Sequence, residues 1–110
     1  MGEKHMTYKV LRTDKADELI QKIILYVAEQ FGREVALKKL DELESALLSL
    51  SDNPYRGVRP KYSVLRRQGY LVLILEKNLV FYKVDEDEKT VIIYAVVDQR
   101  QDYLGIVRGL

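Results

Sequence analysis

This 110-residue chain has no cysteine and no tryptophan, and its only histidine is at position 5. Without cysteine there is neither a disulfide framework nor a thiolate nucleophile, which suits a reducing compartment such as the cytosol. No apolar run approaches the roughly 20 residues that a membrane-spanning helix needs, and the N-terminus lacks the apolar segment of a signal peptide. We therefore expect a cytoplasmic localisation and no contact with membranes.

The first residues, "MGEKHM", contain a second methionine at Met6. We interpret residues 1–5 as an expression remnant and residues 6–110 as a single domain. On that interpretation His5 does not belong to the domain, which then lacks the commonest general base and the commonest metal ligand. We predict neither a metal site nor a cofactor.

The net charge is only +1, but the basic residues are unevenly distributed. Between positions 54 and 70 there are five bases and no acid: Arg56, Arg59, Lys61, Arg66 and Arg67. Such a segment is either a binding surface for nucleic acid or another target, or a solvated basic loop. The tyrosines at positions 55, 62 and 70 could stack on nucleobases, and they could equally anchor the loop. We predict that the five bases bind a nucleic acid or another target.

Two helices are predicted in the first half of the chain. Thr13 is a candidate N-cap, and apolar residues then recur every three or four positions as far as Phe31, where Gly32 follows as a helix stop. A second apolar stripe runs from Ala36 to Leu50 and ends before Pro54. The short connection makes the two helices an antiparallel hairpin.

Strands are predicted at 8–12 and at 70–75, 79–84 and 90–97, where β-branched and aromatic residues dominate. Short turns join the last three into an antiparallel meander. The element order is β-α-α-β-β-β. This order predicts an α+β domain with a helical hairpin packed on one face of a small, mainly antiparallel sheet.

Both faces of the predicted meander are apolar. Leu71 and Leu73 point to one side, whereas Tyr70 and Val72 point to the other. Two helices can cover only one face, so either the C-terminal residues 104–110 or a partner protein must cover the second. We favour a partner, because seven residues are too few for the whole face.

Several segments together resemble one known family. They are "EQFG" with "ALKKLDELESALLSL", then "NPYRG", and finally "GYLVLILEKNLVFYKVDEDEKTVIIYAVVDQRQDY". In this order and with these turn lengths, residues 8–107 resemble the RelE/ParE superfamily of toxins from bacterial type II toxin–antitoxin (addiction, or plasmid stabilisation) modules. The resemblance implies a growth-inhibiting toxin that a cognate antitoxin neutralises. The chain would then form a toxin–antitoxin hetero-oligomer or a homodimer.

The resemblance also indicates where a nuclease site would lie. RelE-type mRNA endonucleases carry lysines on the first meander strand and an arginine on the second, and these positions correspond to Leu71, Leu73 and Leu79 here. The last-strand arginine and the terminal tyrosine have counterparts in Arg100 and Tyr103. Asp98 stands where some members have histidine or tyrosine.

Both candidate catalytic residues have a structural alternative. Arg100 could instead form a salt bridge with Asp98 or Asp102, and Tyr103 could be a core tyrosine. We also predict an antitoxin interface at Leu71, Leu73, Leu79 and Phe81.

Three functions remain open on the sequence. The first is ParE-like inhibition of a protein target such as DNA gyrase, which the three leucines favour. The second is a metal-independent, ribosome-dependent mRNA endonuclease with a reduced site built on Arg100 and Tyr103. The third is a degenerate, non-toxic binding module.

Overall fold

The secondary structure follows the predicted order and adds two short helices. A computed structural model describes residues 7–101 and 103–110, so the interpreted remnant at residues 1–5, together with Met6 and Asp102, lies outside the described part. The elements in chain order are β1 (Lys9–Arg12), α1 (Asp14–Phe31), α2 (Arg33–Leu48), a 3-10 turn (Ser49–Ser51), α3 (Ser63–Arg67), β2 (Leu71–Ile74), β3 (Asn78–Asp85), β4 (Thr90–Asp98) and α4 (Leu104–Arg108). No helix in this part is both long and apolar enough to cross a bilayer.

The helix boundaries have local causes. Thr13 caps α1 because its hydroxyl oxygen accepts a hydrogen bond from the Ala16 backbone N–H at 3.1 Å. Gly32 separates α1 from α2 with φ +94°, a conformation that favours glycine. Both boundary predictions are confirmed, and so is the hairpin.

The four strands form one sheet in the order β1-β4-β3-β2. β1 pairs with β4 in parallel, whereas the other pairs are antiparallel, as predicted for the meander. Phe81 pairs with Ala95 and Tyr82 with Ile93, which leaves Tyr94 as the extra residue of a bulge in β4. The predicted α+β architecture is confirmed.

The two faces of the sheet carry two separate cores. The hairpin covers the first face, where Ile20 and Leu47 pack with Val80 and Tyr82. The second face is covered by α3 and α4, whose Leu65 and Val107 are buried against the sheet. The expectation that a partner covers this face is therefore wrong. The C-terminal residues do fold back, and α3 supplies the remaining cover, which the sequence analysis did not foresee.

A buried tyrosine fixes the start of the basic segment. The Tyr82 hydroxyl donates a hydrogen bond to the Pro54 carbonyl oxygen at 2.7 Å and accepts one from the Gly57 N–H at 2.9 Å. Burial raises the pKa of Tyr82, which favours the neutral hydroxyl that makes both bonds. Val58 then pairs with Val72 of β2 as an isolated antiparallel bridge. The backbone of residues 54–58 is thus attached to the sheet.

A surface cluster around Glu86 ties the β3–β4 turn to two other parts of the chain. The Glu86 carboxylate accepts hydrogen bonds from the hydroxyls of Tyr8 and Tyr55 and from the Lys89 ammonium. Lys89, followed by the two tyrosines, lowers the pKa of Glu86 to about 2. The hydrogen bond to Glu86 raises the pKa of Tyr55 to about 12.

Candidate functional site

The end of β4 carries the predicted Asp98 and Arg100. The Asp98 carboxylate accepts a hydrogen bond from the Arg100 backbone N–H at 2.8 Å and lies 3.5 Å from the guanidinium Nε. The backbone N–H of Arg100 is the main cause that lowers the pKa of Asp98. The Arg100 side chain is 85% exposed, so the ion pair leaves most of its guanidinium open to solvent. Such an exposed pair contributes little to stability.

Tyr103 lies on the opposite side of the sheet from Arg100. Its ring packs edge-on against Tyr62, with centroids 6.4 Å apart, and is tilted against Phe81 at 5.7 Å. These contacts put Tyr103 in the core of the second face, whereas Arg100 lines a groove on the hairpin side. The geometry does not bring the two candidate catalytic residues together.

The five predicted bases have different environments. The Arg66 guanidinium donates to the carbonyl oxygens of Pro60 and Lys61, each at 2.8 Å, and thereby closes the loop before α3. Arg56 donates to the Ser49 hydroxyl at 2.5 Å. The remaining three side chains are exposed to solvent: Arg59, Lys61 and Arg67. The Lys61 ammonium lies 5.4 Å from the centroid of the Tyr62 ring. Arg56 is exposed as well, so four of the five bases are open to a ligand and Arg66 is partly buried.

The four residues of the predicted antitoxin interface pack within the domain to different degrees. Leu71 and Leu79 are half-buried, whereas Leu73 is only 3% exposed and Phe81 only 2%. Leu73 belongs to the core under the hairpin and Phe81 to the core under α3 and α4. The two buried side chains contribute to the domain's own packing.

Lys83 on β3 is a base that the sequence analysis missed. Its ammonium lies 4.6 Å from the ring centroid of Tyr70 and 5.2 Å from that of Tyr94, within the range of cation–π attraction. The two rings meet edge-on at 5.3 Å. The sequence signal that could have found it is a single lysine within an otherwise apolar strand, directly after "VFY".

A groove under the distal end of the hairpin was also missed. It has a volume of about 1260 Å³ and lies between the two helices, the β2–β3 turn and the end of β4. Asn78, only 2% exposed, lies at its wall, where its side-chain oxygen accepts a hydrogen bond from the Lys39 ammonium at 2.6 Å. Within residues 7–101 and 103–110, no group of three or more His, Cys, Asp or Glu side chains could hold a metal ion.

Comparison with known proteins decides the family. A family model described as the ParE toxin of the type II toxin–antitoxin system parDE matches residues 10–103. This chain belongs to the ParE toxin family. The RelE/ParE resemblance seen in the sequence is thereby confirmed, and the chain is a toxin of the type II toxin–antitoxin class. A search of curated proteins finds no match.

Solved structures share the fold at low sequence identity. A structure of a chromosomal ParDE system from P. aeruginosa gives a TM-score of 0.70 at 22% identity, over 86% of this chain and 98% of that one. The RelBE2 toxin–antitoxin complex from Mycobacterium tuberculosis gives 0.63 at 20% identity, over 91% and 100%. Free E. coli RelE, as an arginine double mutant, gives 0.59 at 15% identity, over 96% and 100%. At these identities the likeness concerns the fold alone.

Proposed function

We propose that this ParE-family chain arrests growth by binding a protein target, with DNA gyrase as the first target to test, and that it does not cut RNA. The observation that carries the proposal is leucine at positions 71, 73 and 79, where the nuclease resemblance calls for bases. RNA cleavage through the 2′-hydroxyl needs groups that move a proton and neutralise charge at phosphorus. Leucine does neither, and Leu73 is buried in the core.

An mRNA endonuclease is the second candidate, because the domain does expose cations. Arg100 is largely solvated, and Arg59, Lys61 and Arg67 are exposed on the basic segment. Guanidinium groups bind phosphate well. Binding alone gives no proton transfer, and Tyr103 packs on the other face of the sheet from Arg100. The endonuclease hypothesis therefore has only the Asp98 carboxylate, 3.5 Å from the Arg100 guanidinium, as a general base beside Arg100, and a carboxylate repels an approaching phosphate.

A cognate antitoxin is the partner that this proposal implies. Two of the structural neighbours are a ParDE system and a RelBE2 complex, which supports such a partner here. Of the predicted interface residues, Leu71 and Leu79 are open to direct contact because both keep part of their surface exposed. Phe81 becomes accessible only if the cover formed by α3 and α4 opens. Both candidate targets lie in the cytoplasm, the compartment expected from the lack of cysteine.

Controlled expression in a host without the antitoxin tests toxicity first. Growth arrest supports a toxin, whereas normal growth of cells that hold soluble protein supports the non-toxic binding module. Purified chain is then added to gyrase with relaxed plasmid, and separately to ribosomes with mRNA. Loss of supercoiling or a trapped cleavage complex supports the proposal. Ribosome-dependent mRNA cuts with unchanged supercoiling would replace it with the second candidate.

A further inference from the structure

The five bases of the basic segment, residues 54–70, have no carboxylate partner in the described part of the chain. Bases elsewhere do have one: Arg12, for example, pairs with both Asp17 and Glu44 at 3.0 Å. Within residues 7–101 and 103–110, no carboxylate oxygen lies within 4 Å of a cationic group of the basic segment. The segment itself contains no Asp or Glu. Its positive charge is therefore available to an anion from outside the domain.

The backbone that carries these bases is fixed at both ends of its loop. Residues 54–58 are attached to the sheet through the hydroxyl of Tyr82. The Arg66 guanidinium then holds the loop at Pro60 and Lys61 against α3 through two hydrogen bonds of 2.8 Å. A ligand that binds here meets charges whose backbone positions are already set, so the binding requires little ordering of the chain.

The basic segment is rich in arginine and poor in lysine. It contains four of the eight arginines of the chain but only one of its ten lysines. A guanidinium is planar and weakly hydrated, and it can bond two oxygens of one phosphate at once, whereas an ammonium acts as a hydrated point charge. Four exposed cations between positions 56 and 67 call for a dense array of anions. Duplex DNA provides one, because it carries a phosphate charge about every 1.7 Å along its axis.

The tyrosines of the basic segment are engaged within the domain. The ring of Tyr62 packs against Tyr103, and Tyr70 is only 5% exposed. The ring of Tyr55 is exposed, but its hydroxyl is held by the Glu86 carboxylate, which repels a nearby phosphate. Proteins that bind single strands stack the bases on free aromatic rings. Since these rings anchor the segment instead, contact with the backbone of a duplex is the favoured mode.

We propose that the basic segment binds the phosphate backbone of duplex DNA, without reading its sequence, through its four exposed bases: Arg56, Arg59, Lys61 and Arg67. That this DNA is a segment held by gyrase rests on the proposed function, whereas the binding of free duplex does not. An acidic protein surface fits less well, because its carboxylates do not form a dense regular array. A single strand fits less well, because the rings that would stack on its bases are engaged.

The test measures the fluorescence anisotropy of a labelled duplex as the purified full chain is added, at several concentrations of KCl. If four phosphates are contacted, log K should fall with log [KCl] at a slope of about −3.6, or about 150-fold between about 50 and 200 mM. A triple variant that combines Arg59→Gln, Lys61→Gln and Arg67→Gln should reduce the slope to about −0.9 and weaken binding at least about tenfold at the lowest salt. Its melting temperature should not change, because all three side chains are exposed.

The matched control is a second triple variant that combines Lys9→Gln, Lys15→Gln and Arg33→Gln. These side chains are also exposed, and they lie on β1 and the hairpin, away from the basic segment. The control lowers the net charge by the same amount, so it separates a local site from a general effect of charge. It should keep the slope of the unmodified chain and nearly all of its affinity.

Three results would overturn the proposal. The first is an equal loss of binding in the two triple variants, and the second is a slope near zero, which means that no phosphate is neutralised. The third is tighter binding to a single-stranded oligonucleotide or to polyglutamate than to the duplex, because the segment then serves one of those ligands. Inhibition of gyrase is scored separately. A chain that binds duplex without affecting gyrase contradicts only the proposed function, and one that inhibits gyrase without binding duplex contradicts only the DNA site.

Discussion

The hydroxyl oxygen of Tyr82 occupies the space in which a side chain at position 57 would begin. A Cβ added to Gly57 would lie 2.6 Å from that oxygen and 2.7 Å from the Val72 carbonyl oxygen. We therefore expect Gly57→Ala to push residues 54–58 off the sheet and to lower the free energy of unfolding by about 1–3 kcal/mol. Urea denaturation followed by circular dichroism measures the change.

Gly105→Ala is the control for this substitution, because nothing lies within 4 Å of its Cβ position and it sits in α4. It should leave stability unchanged or raise it slightly. Tyr82→Phe should also destabilise, by about 1–3 kcal/mol, since it leaves the Pro54 carbonyl and the Gly57 N–H without their partner. If Gly57→Ala were as stable as Gly105→Ala, the close contact with Tyr82 would be disproved.

The Glu86 cluster predicts a loss of stability in acid. Folding lowers the pKa of Glu86 from 4.5 to about 2, so the folded state favours the carboxylate. The stabilisation is fully present above pH 4.5 and is lost as the pH falls through about 2. Glu86→Gln should lower the urea midpoint near neutrality, and its difference from the unmodified chain should shrink between pH 4.5 and 2. Glu88→Gln, in the same turn, is the control, because the Glu88 carboxylate makes no hydrogen bond or ion pair within the described part of the chain, and it should leave the urea midpoint near neutrality unchanged.

The helices and strands were predictable wherever a pattern was long enough. Thr13 and Gly32 gave the two ends of α1, and the β-branched runs gave the meander to within one or two residues. The short helices α3 and α4 were missed because five residues are too few for a 3.6-residue period to be visible. That omission caused the wrong inference that a partner must cover the second face.

The geometry of the candidate site was harder to predict, because it depends on which side of the sheet each residue after the end of β4 lies. Arg100 and Tyr103 are three positions apart, yet one lines the groove and the other joins the opposite core. The pairing of Lys39 with Asn78 joins residues 39 positions apart and has no sequence motif. The apolar stripe to Phe31 was visible in the sequence, but only the structure shows that full burial ends at Ile20, that Ile23 is partly buried and that Phe31 is exposed.

Two adjacent arginines in the basic segment should respond differently to alanine. Arg66→Ala removes two hydrogen bonds that a charged group makes to the Pro60 and Lys61 carbonyl oxygens, and should cost about 1–2 kcal/mol of stability. Arg67 is exposed, and its replacement should change stability by less than about 0.5 kcal/mol. Thermal unfolding measures both variants. If Arg67 contacts the target, the Arg67→Ala variant should lose toxicity while its melting temperature stays the same. The Arg66→Ala variant should show a lower melting temperature.

The last prediction separates the two candidate mechanisms at Arg100 and Tyr103. Tyr103 contributes ring packing against Phe81 and Tyr62, and its hydroxyl makes no hydrogen bond within the described part of the chain. Tyr103→Phe should therefore keep both stability and growth arrest, whereas a nuclease that needs the hydroxyl for proton transfer would lose about 100-fold or more in cleavage rate.

Arg100→Ala should leave stability within about 0.5 kcal/mol, because its ion pair is exposed. Growth curves and ribosome-dependent cleavage of mRNA, measured on both variants at matched expression, give the answer. Parallel loss of cleavage and toxicity in the two variants, with folding intact, would reject protein-target inhibition and establish Arg100 and Tyr103 as parts of one catalytic site.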